Sequence, residues 1–268
     1  MLRMPELNIT GTTAVFGIIA DPTDHVRAPM VFNPLFVERG IDAVMVPLHV
    51  RPEDLAAAMA GLKAHANFRG LAVTIPHKLA IMAFCDEIGE QGRLVGAVNT
   101  IRIDANRRVY GDNFDGQGFV AGLRAEGFEV TGKVIYQTGA GGAGRAIAFA
   151  VAAAGPARLM IHNRTRAKAE ELAAAVAAAY PSCEVIAVDG PDKTVQVAVN
   201  TTSLGLHAGD PLPIDLGLLA GDAVVAEIIM IPVETDLLKA ASSAGHPIHF
   251  GRHMLDQQIR LIGDFMGV

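Results

Sequence analysis

The stretch with the most conspicuous chemistry is residues 71–85, LAVTIPHKLAIMAFC, where Lys78 is the one certain charge and no acid stands beside it. Such a lysine has two readings. It snorkels, covering apolar surface with its stem and leaving the ammonium in water, or it sits in a pocket where its pKa falls and it becomes fit for proton transfer. Asp115, in Gly111-Asp112-Asn113-Phe114-Asp115-Gly116, also has two. It caps a helix expected over 116–126, or it is a carboxylate at a domain edge that meets Lys78. Asn99-Thr100, in GAVNTI, lies between them in sequence.

A second stretch, residues 133–145, KVIYQTGAGGAGR, fits G-x-G-x-x-G with Gly139, Gly141 and Gly144. A strand at 134–136 precedes it and an Ala-rich helix over 146–154 follows, the context a dinucleotide fingerprint requires. Gly139 allows the tight turn, Gly141 lets the backbone approach a pyrophosphate, and Gly144 lets the helix pack close to the strand. Backbone N–H groups at the helix start would hold the phosphates; the plainer alternative is an ordinary βα turn. About 20 residues further on, an NAD-selective site places an acid on the ribose. This chain has His162-Asn163-Arg164-Thr165, then Arg166 and Lys168. No acid repels a 2′-phosphate and several cations can pair with it, which favours NADP(H) without excluding NAD(H). The alternative is a solvated basic turn capping a helix over 167–179.

The elements that must position these groups alternate. Residues 13–19 read as a strand ending in a turn at 20–22. Asn33-Pro34 reads as a helix N-cap with proline at the first helical position. A strand over 43–49 and a helix over 52–64 follow, the helix with Leu55, Met59 and Leu62 on one apolar face. This is α/β. Strands are also expected at 158–163, at 195–200 (ending in Thr201-Thr202-Ser203-Leu204-Gly205) and at 223–229, leading to Pro232. A helix follows from Thr235, and another over 251–266 carries Met254, Gln257 and Gln258. His246, His249 and His253 are closely spaced, but no cysteine or carboxylate stands at ligand spacing and a strand end intervenes, so no metal is expected.

Composition sets the bounds. The 268 residues allow one large domain or two ordinary ones, and 51% hydrophobic residues supply a sizeable core. A net charge of −6 argues against nucleic acid. Cys85 and Cys183 imply no disulfide framework and suit a reducing compartment. The start, MLRMPELNIT, has no apolar signal region, and the Ala-rich stretches are too short or interrupted to span a bilayer. The expectation is a soluble cytoplasmic protein with neither a nucleic-acid nor a membrane partner.

Taken together, these stretches resemble the shikimate/quinate dehydrogenase family over nearly the whole chain. The family's V-T-x-P-x-K is Val73-Thr74-Ile75-Pro76-His77-Lys78, its A-V-N-T is Ala97-Val98-Asn99-Thr100, and its G-x-N-x-D-x-x-G runs from Gly111 to Gly118. The G-A-G-G-A-x-R-A turn starts at Gly139, N-R-T is Asn163-Arg164-Thr165, T-S-x-G is Thr202 to Gly205, P-x-x-T is Pro232 to Thr235, and M-L-x-x-Q is Met254 to Gln258. The resemblance implies two α/β domains flanking a cleft. The N-terminal substrate-binding domain would be 1–115, joined by helix 252–268, and a Rossmann-type NAD(P)-binding domain would be 116–251. It implies reversible hydride transfer between nicotinamide C4 and a ring carbon bearing a hydroxyl. Lys78 would hydrogen-bond the reacting oxygen and shuttle its proton, and Asp115 would orient Lys78. Thr74, Asn99 and Gln258 would meet the substrate. The cofactor would lie on Gly139, Ala140, Gly141, Gly142 and Ala143, on Asn163, Arg164, Thr165 and Lys168, and on Thr201, Thr202, Ser203 and Gly205, with Gly251 and Met254 beyond. A monomer or homodimer is implied.

The chain departs from the pattern at one end of the substrate. The family holds the substrate carboxylate with two hydroxyls in H-S-x-S-P, and here the stretch is His25-Val26-Arg27-Ala28-Pro29. A hydrogen bond to a charged group contributes about 1.5–3 kcal/mol, so losing two corresponds to on the order of 10²–10⁴ in recognition unless Arg27 substitutes. Ala72 stands where the family usually has Asn, Phe114 where it has Thr, and Met230 where it has Tyr. The expectation is a family dehydrogenase with an altered cyclic-polyol substrate. Behind it stand a true shikimate dehydrogenase using Arg27, and a cofactor-binding regulator without turnover.

Overall fold

Apolar runs at the start of the chain form parallel strands, as their burial on both faces requires. In chain order these elements are β1 (Ala14–Ala20), α1 (Ala28–Arg39), β2 (Ala43–His49), α2 (Leu55–Ala64) and β3 (Phe68–Val73). β1 lies between β2 and β3, parallel to both, with Ile19 opposite Leu48 and Val73. Next come β4 (Glu87–Ile88), α3 (Glu90–Val95), β5 (Thr100–Ile103) and β6 (Val109–Asp112). They complete a six-stranded sheet of order β2-β1-β3-β5-β6-β4, in which β5 is antiparallel to both β3 and β6. Ile19, Leu71, Ile81, Val98 and Ile101 pack in its core. The computed structural model describes residues 8–24, 26–207 and 209–268.

Asn33-Pro34 does not start α1. The helix begins at Ala28 with Pro29 in its first turn, where a missing N–H costs nothing, and Pro34 lies inside it. Asn33 instead faces β2: its Oδ1 accepts from Met45 N at 2.8 Å and its Nδ2 donates to Met45 O at 3.0 Å.

The rest of the chain runs α4 (Asp115–Ala125), β7 (Val134–Thr138), α5 (Gly142–Ala153), β8 (Arg158–His162), α6 (Arg166–Ala179), β9 (Glu184–Ala187), β10 (Val197–Asn200), β11 (Val224–Glu227), α7 (Asp236–Ser243), β12 (Ile248–His249) and α8 (Gly251–Met266). Strand and helix alternate, except that β9, β10 and β11 follow one another without an α-helix between them. The six strands pair in parallel in the order β9-β8-β7-β10-β11-β12. This is the doubly wound Rossmann order, whose direction reverses between β7 and β10; ligands bind outside the carboxyl ends of the strands there.

Two compact units result, residues 1–114 with 259–268, and residues 115–258. The division falls inside α8, so residues 252–258 go with the second unit, whereas the sequence reading assigns all of 252–268 to the first. No helix among the described residues is long and apolar enough to cross a membrane.

Candidate active site

In the first unit, Lys78 sits on a turn that leaves the end of β3. Thr74 N donates to Ile19 O (3.1 Å), His77 N to Thr74 O (2.9 Å), and the Lys78 carbonyl accepts from Val98 N (2.8 Å). His77 is buried with its Nε2 on Val50 O at 2.8 Å. These bonds fix the turn at several points, and Lys78 and Thr74 are half-buried on it. Asn99 is buried where the chain enters β5, and its Oδ1 accepts from Thr100 Oγ1 (2.9 Å) and Phe114 N (3.1 Å). Phe114 stacks at a tilt on Phe265, centroids 5.2 Å apart, and Ala72 is buried in β3. Arg27 precedes α1; its guanidinium lies 3.6 Å from Met30 Sδ. His25 lies outside the described residues.

In the second unit, the three fingerprint glycines have three different physical reasons. Gly139 has φ +108°, and a Cβ there would meet Thr201 Oγ1 at 2.4 Å. At Gly144 a Cβ would meet the Gly139 carbonyl at 2.5 Å. At Gly141 and Gly142 a Cβ would meet nothing within 4 Å, and both are exposed at the start of α5. The first pair is needed by the fold, whereas the second leaves backbone N–H groups open to an anion at a helix N-terminus. A dinucleotide's pyrophosphate fits that opening.

One side chain that the sequence reading did not single out, Gln137, and two that it did, Thr201 and Asn163, support the loop. Buried Gln137 donates through Nε2 to Gly139 O (2.9 Å) and Gly144 O (2.8 Å). Thr201 Oγ1 donates to Thr138 O (2.8 Å) and lies 3.1 Å from Gly139 O, so this expected cofactor residue braces the loop from inside. Asn163 Oδ1 accepts from Ala140 N (3.2 Å), which ties the end of β8 to the same loop, beside half-buried Ala143. Arg164, Thr165 and Lys168 follow, all exposed. Arg166 forms surface ion pairs with Glu170 and Asp189, which compete with a 2′-phosphate for its guanidinium.

Beyond β10, Thr202 Oγ1 donates to Asn200 Oδ1 (2.7 Å), Ser203 is exposed, and Gly205 has φ +110°. Met230 is 41% exposed, in an apolar loop with Ile231 and Val233. Gly251 opens α8 where a Cβ would collide with Ile229 O at 2.3 Å, and Met254 is half-buried one turn on. Buried Asp115 opens α4, and its Oδ1 accepts from Gln258 Nε2 at 2.7 Å.

A buried carboxylate at the end of β11 also escaped the sequence reading. Burial holds the Glu227 carboxyl above its ordinary pKa, and hydrogen bonds from Asn200, Ile229, Ile228 and Thr235 offset this only in part. The histidines form no metal cluster among the described residues. His249 and His253 instead stack edge-on, centroids 4.8 Å apart, inside a box that includes Phe119, Phe128 and Phe250.

A family model described as the shikimate dehydrogenase substrate binding domain matches residues 18–101. The shikimate dehydrogenase (NADP(+)) of Rubrobacter xylanophilus is 38% identical over 241 residues, covering 88% of this chain and 84% of the relative. A shikimate dehydrogenase solved in complex with NADP+ superposes with a TM-score of 0.90 at 34% identity, covering 97% of this chain and 92% of that one. The ligand-free 5-ketofructose reductase of Gluconobacter sp. strain CHM43 superposes with a TM-score of 0.88 at 32% identity, over 96% and 94% of the two chains. With its substrate-domain match, its Rossmann sheet and relatives aligned over nearly its full length, the chain belongs to the shikimate/quinate dehydrogenase family of NAD(P)-dependent oxidoreductases.

Proposed function

We propose that this protein transfers hydride reversibly between NADP(H) and a ring hydroxyl of a cyclic polyol that lacks the carboxylate of shikimate and quinate. The observation that carries the substrate assignment is the hydroxyl-free stretch 26–29, where Arg27 is half-buried and its guanidinium contacts a methionine sulfur. The apolar Ala72 and Phe114 add to it. The similar 5-ketofructose reductase is named for a substrate without a carboxylate, and it supports the same direction.

When bound, the nicotinamide supplies the hydride or receives it. The residues of this chain do the remainder. Lys78, on its pinned turn, donates a hydrogen bond to the reacting oxygen and exchanges a proton with it, stabilising developing alkoxide charge without a metal. Asp115 orients Lys78 and a neighbouring hydroxyl, itself held by Gln258, while Thr74 and Asn99 bind further hydroxyls. Met230 covers the apolar side of the ring. The open N–H groups at Gly141 and Gly142 take the pyrophosphate, and Arg164 and Lys168 take the 2′-phosphate. Two free cysteines suit a reducing, cytoplasmic location.

Initial rates test this: oxidation of shikimate and of quinate, and reduction of 5-ketofructose, each with the NADP and the NAD couple. The expected result is a kcat/KM at least about tenfold higher for the carboxylate-free compound. Efficient shikimate turnover that is lost in Arg27→Ala would instead make this a shikimate dehydrogenase with an arginine clamp.

A further inference from the structure

We propose that Glu227 is held as a carboxylate anion and makes this protein bind the oxidised nicotinamide coenzyme in preference to the reduced one. The inference rests on the coenzyme reading above.

Glu227 is fully buried at the end of β11, directly opposite Asn200 at the end of β10. Its Oε1 accepts from Ile228 N (3.0 Å) and Ile229 N (3.2 Å), and both oxygens lie 3.1 Å from Asn200 Nδ2. Its Oε2 accepts from Thr235 Oγ1 at 3.2 Å. Two of these partners are backbone N–H groups and can only donate. Asn200 must present its amide, because its Oδ1 already accepts from Thr202 N and Thr202 Oγ1. Thr235 Oγ1 accepts from Leu238 N and donates its own proton to Glu227 Oε2. Three obligate donors and one hydroxyl surround the group, a pattern that an ionised, acceptor-only carboxylate satisfies in full, while burial works against the charge and raises the pKa.

No lysine, arginine or histidine is among these partners, and a buried charge without a counter-charge is unusual. The position supplies a reason. In a doubly wound sheet the dinucleotide lies across the carboxyl ends of the strands, one mononucleotide over each half. The glycine loop follows β7, and Glu227 stands two strands away through the β7–β10–β11 pairing. That is about 10 Å at ordinary strand spacing, on the half opposite the adenosine side. The oxidised nicotinamide ring carries a positive charge and the reduced ring none. A fixed anion behind the strand ends therefore attracts one form and is indifferent to the other, and a dry interior weakens this little.

The test is the dissociation constant of NADP+ and of NADPH, by fluorescence titration, for wild type, Glu227→Gln, Glu227→Ala and Thr235→Val, with 2′,5′-ADP as a probe that lacks the nicotinamide. The neutral variants are expected to weaken NADP+ relative to NADPH by about fivefold or more and to leave 2′,5′-ADP unchanged. Thr235→Val keeps the charge while removing a donor, and should move both coenzymes together. An NADP+/NADPH ratio within twofold of wild type, in either neutral variant that still binds 2′,5′-ADP, would overturn the proposal. Wild type that binds neither coenzyme would instead sink the coenzyme reading itself.

Discussion

At the scale of single residues, the glycine loop separates positions needed for folding from positions left open for a ligand. Gly141→Ala is expected to change stability by less than about 0.5 kcal/mol, because the added methyl meets nothing, yet to weaken coenzyme binding about tenfold or more by blocking backbone approach. Gly139→Ala should lower the melting temperature, since φ +108° and the Thr201 hydroxyl both oppose a side chain. Paired thermal denaturation and coenzyme titration check both. Lys78→Ala should reduce kcat by about 10²–10⁴ with the coenzyme dissociation constant unchanged; a normal kcat would remove Lys78 from the mechanism. The residues named here were legible because their types are improbable where they stand: a lysine in an apolar run, glycines in series. Glu227 and Gln137 carried the same signal, each a polar residue within an apolar strand, but strand pattern alone does not say what such a residue bonds to.

At the scale of elements, β1, β2, β7, β8, β10 and β11 and most of their helices were legible from apolar runs and glycine turns, whereas β3 and β9 were not, and helix 251–266 matches α8 at both ends. The half of the N-terminal sheet beyond β3 was not legible either; there β5 is antiparallel and β4 parallel to β6. β4, β5 and β6 are two to four residues long, too short for a period to show. The start of α1 was misread because two prolines lie within its span, and local rules cannot tell which one the helix starts at. The basic turn after β8 shows what the fold adds to composition. Arg166 forms surface ion pairs with Glu170 and Asp189, whereas Arg164 and Lys168 are exposed. Arg164→Ala and Lys168→Ala should therefore each weaken NADP+ by about three- to tenfold and leave NAD+ unaffected. Arg166→Ala should change the NADP+/NAD+ ratio less than either, because its ion pairs compete with the phosphate. Equal losses for both coenzymes at Arg164 would mean that it does not meet the 2′-phosphate.

At the scale of the whole molecule, the buried histidine pair ties stability to pH. His249 is fully buried and neither of its ring nitrogens has a well-formed hydrogen bond. Burial first, and the neighbouring His253 second, lower its pKa from 6.5 to about 4, while the Gly122 backbone opposes this in part. A lowered folded pKa means that the unfolded chain takes up the proton first. The contribution is present in full above about pH 6.5 and is lost as the pH falls toward 4, up to about 3 kcal/mol. Denaturant unfolding at pH 7.5 and pH 4.5 should show this loss, and His249→Leu should shrink it; an unchanged pH dependence in that variant would assign the loss to other groups.

If loss of the carboxylate clamp turned this family dehydrogenase to a different substrate, restoring the clamp should turn it back. The most direct measurement restores the clamp. In the double variant Val26→Ser, Ala28→Ser, kcat/KM for shikimate oxidation with NADP+ should rise by about 10²-fold or more, two hydrogen bonds to a charged group having been returned, while activity on the carboxylate-free polyol falls or holds. Wild type that already oxidises shikimate efficiently, with no gain from the two serines, would contradict the account.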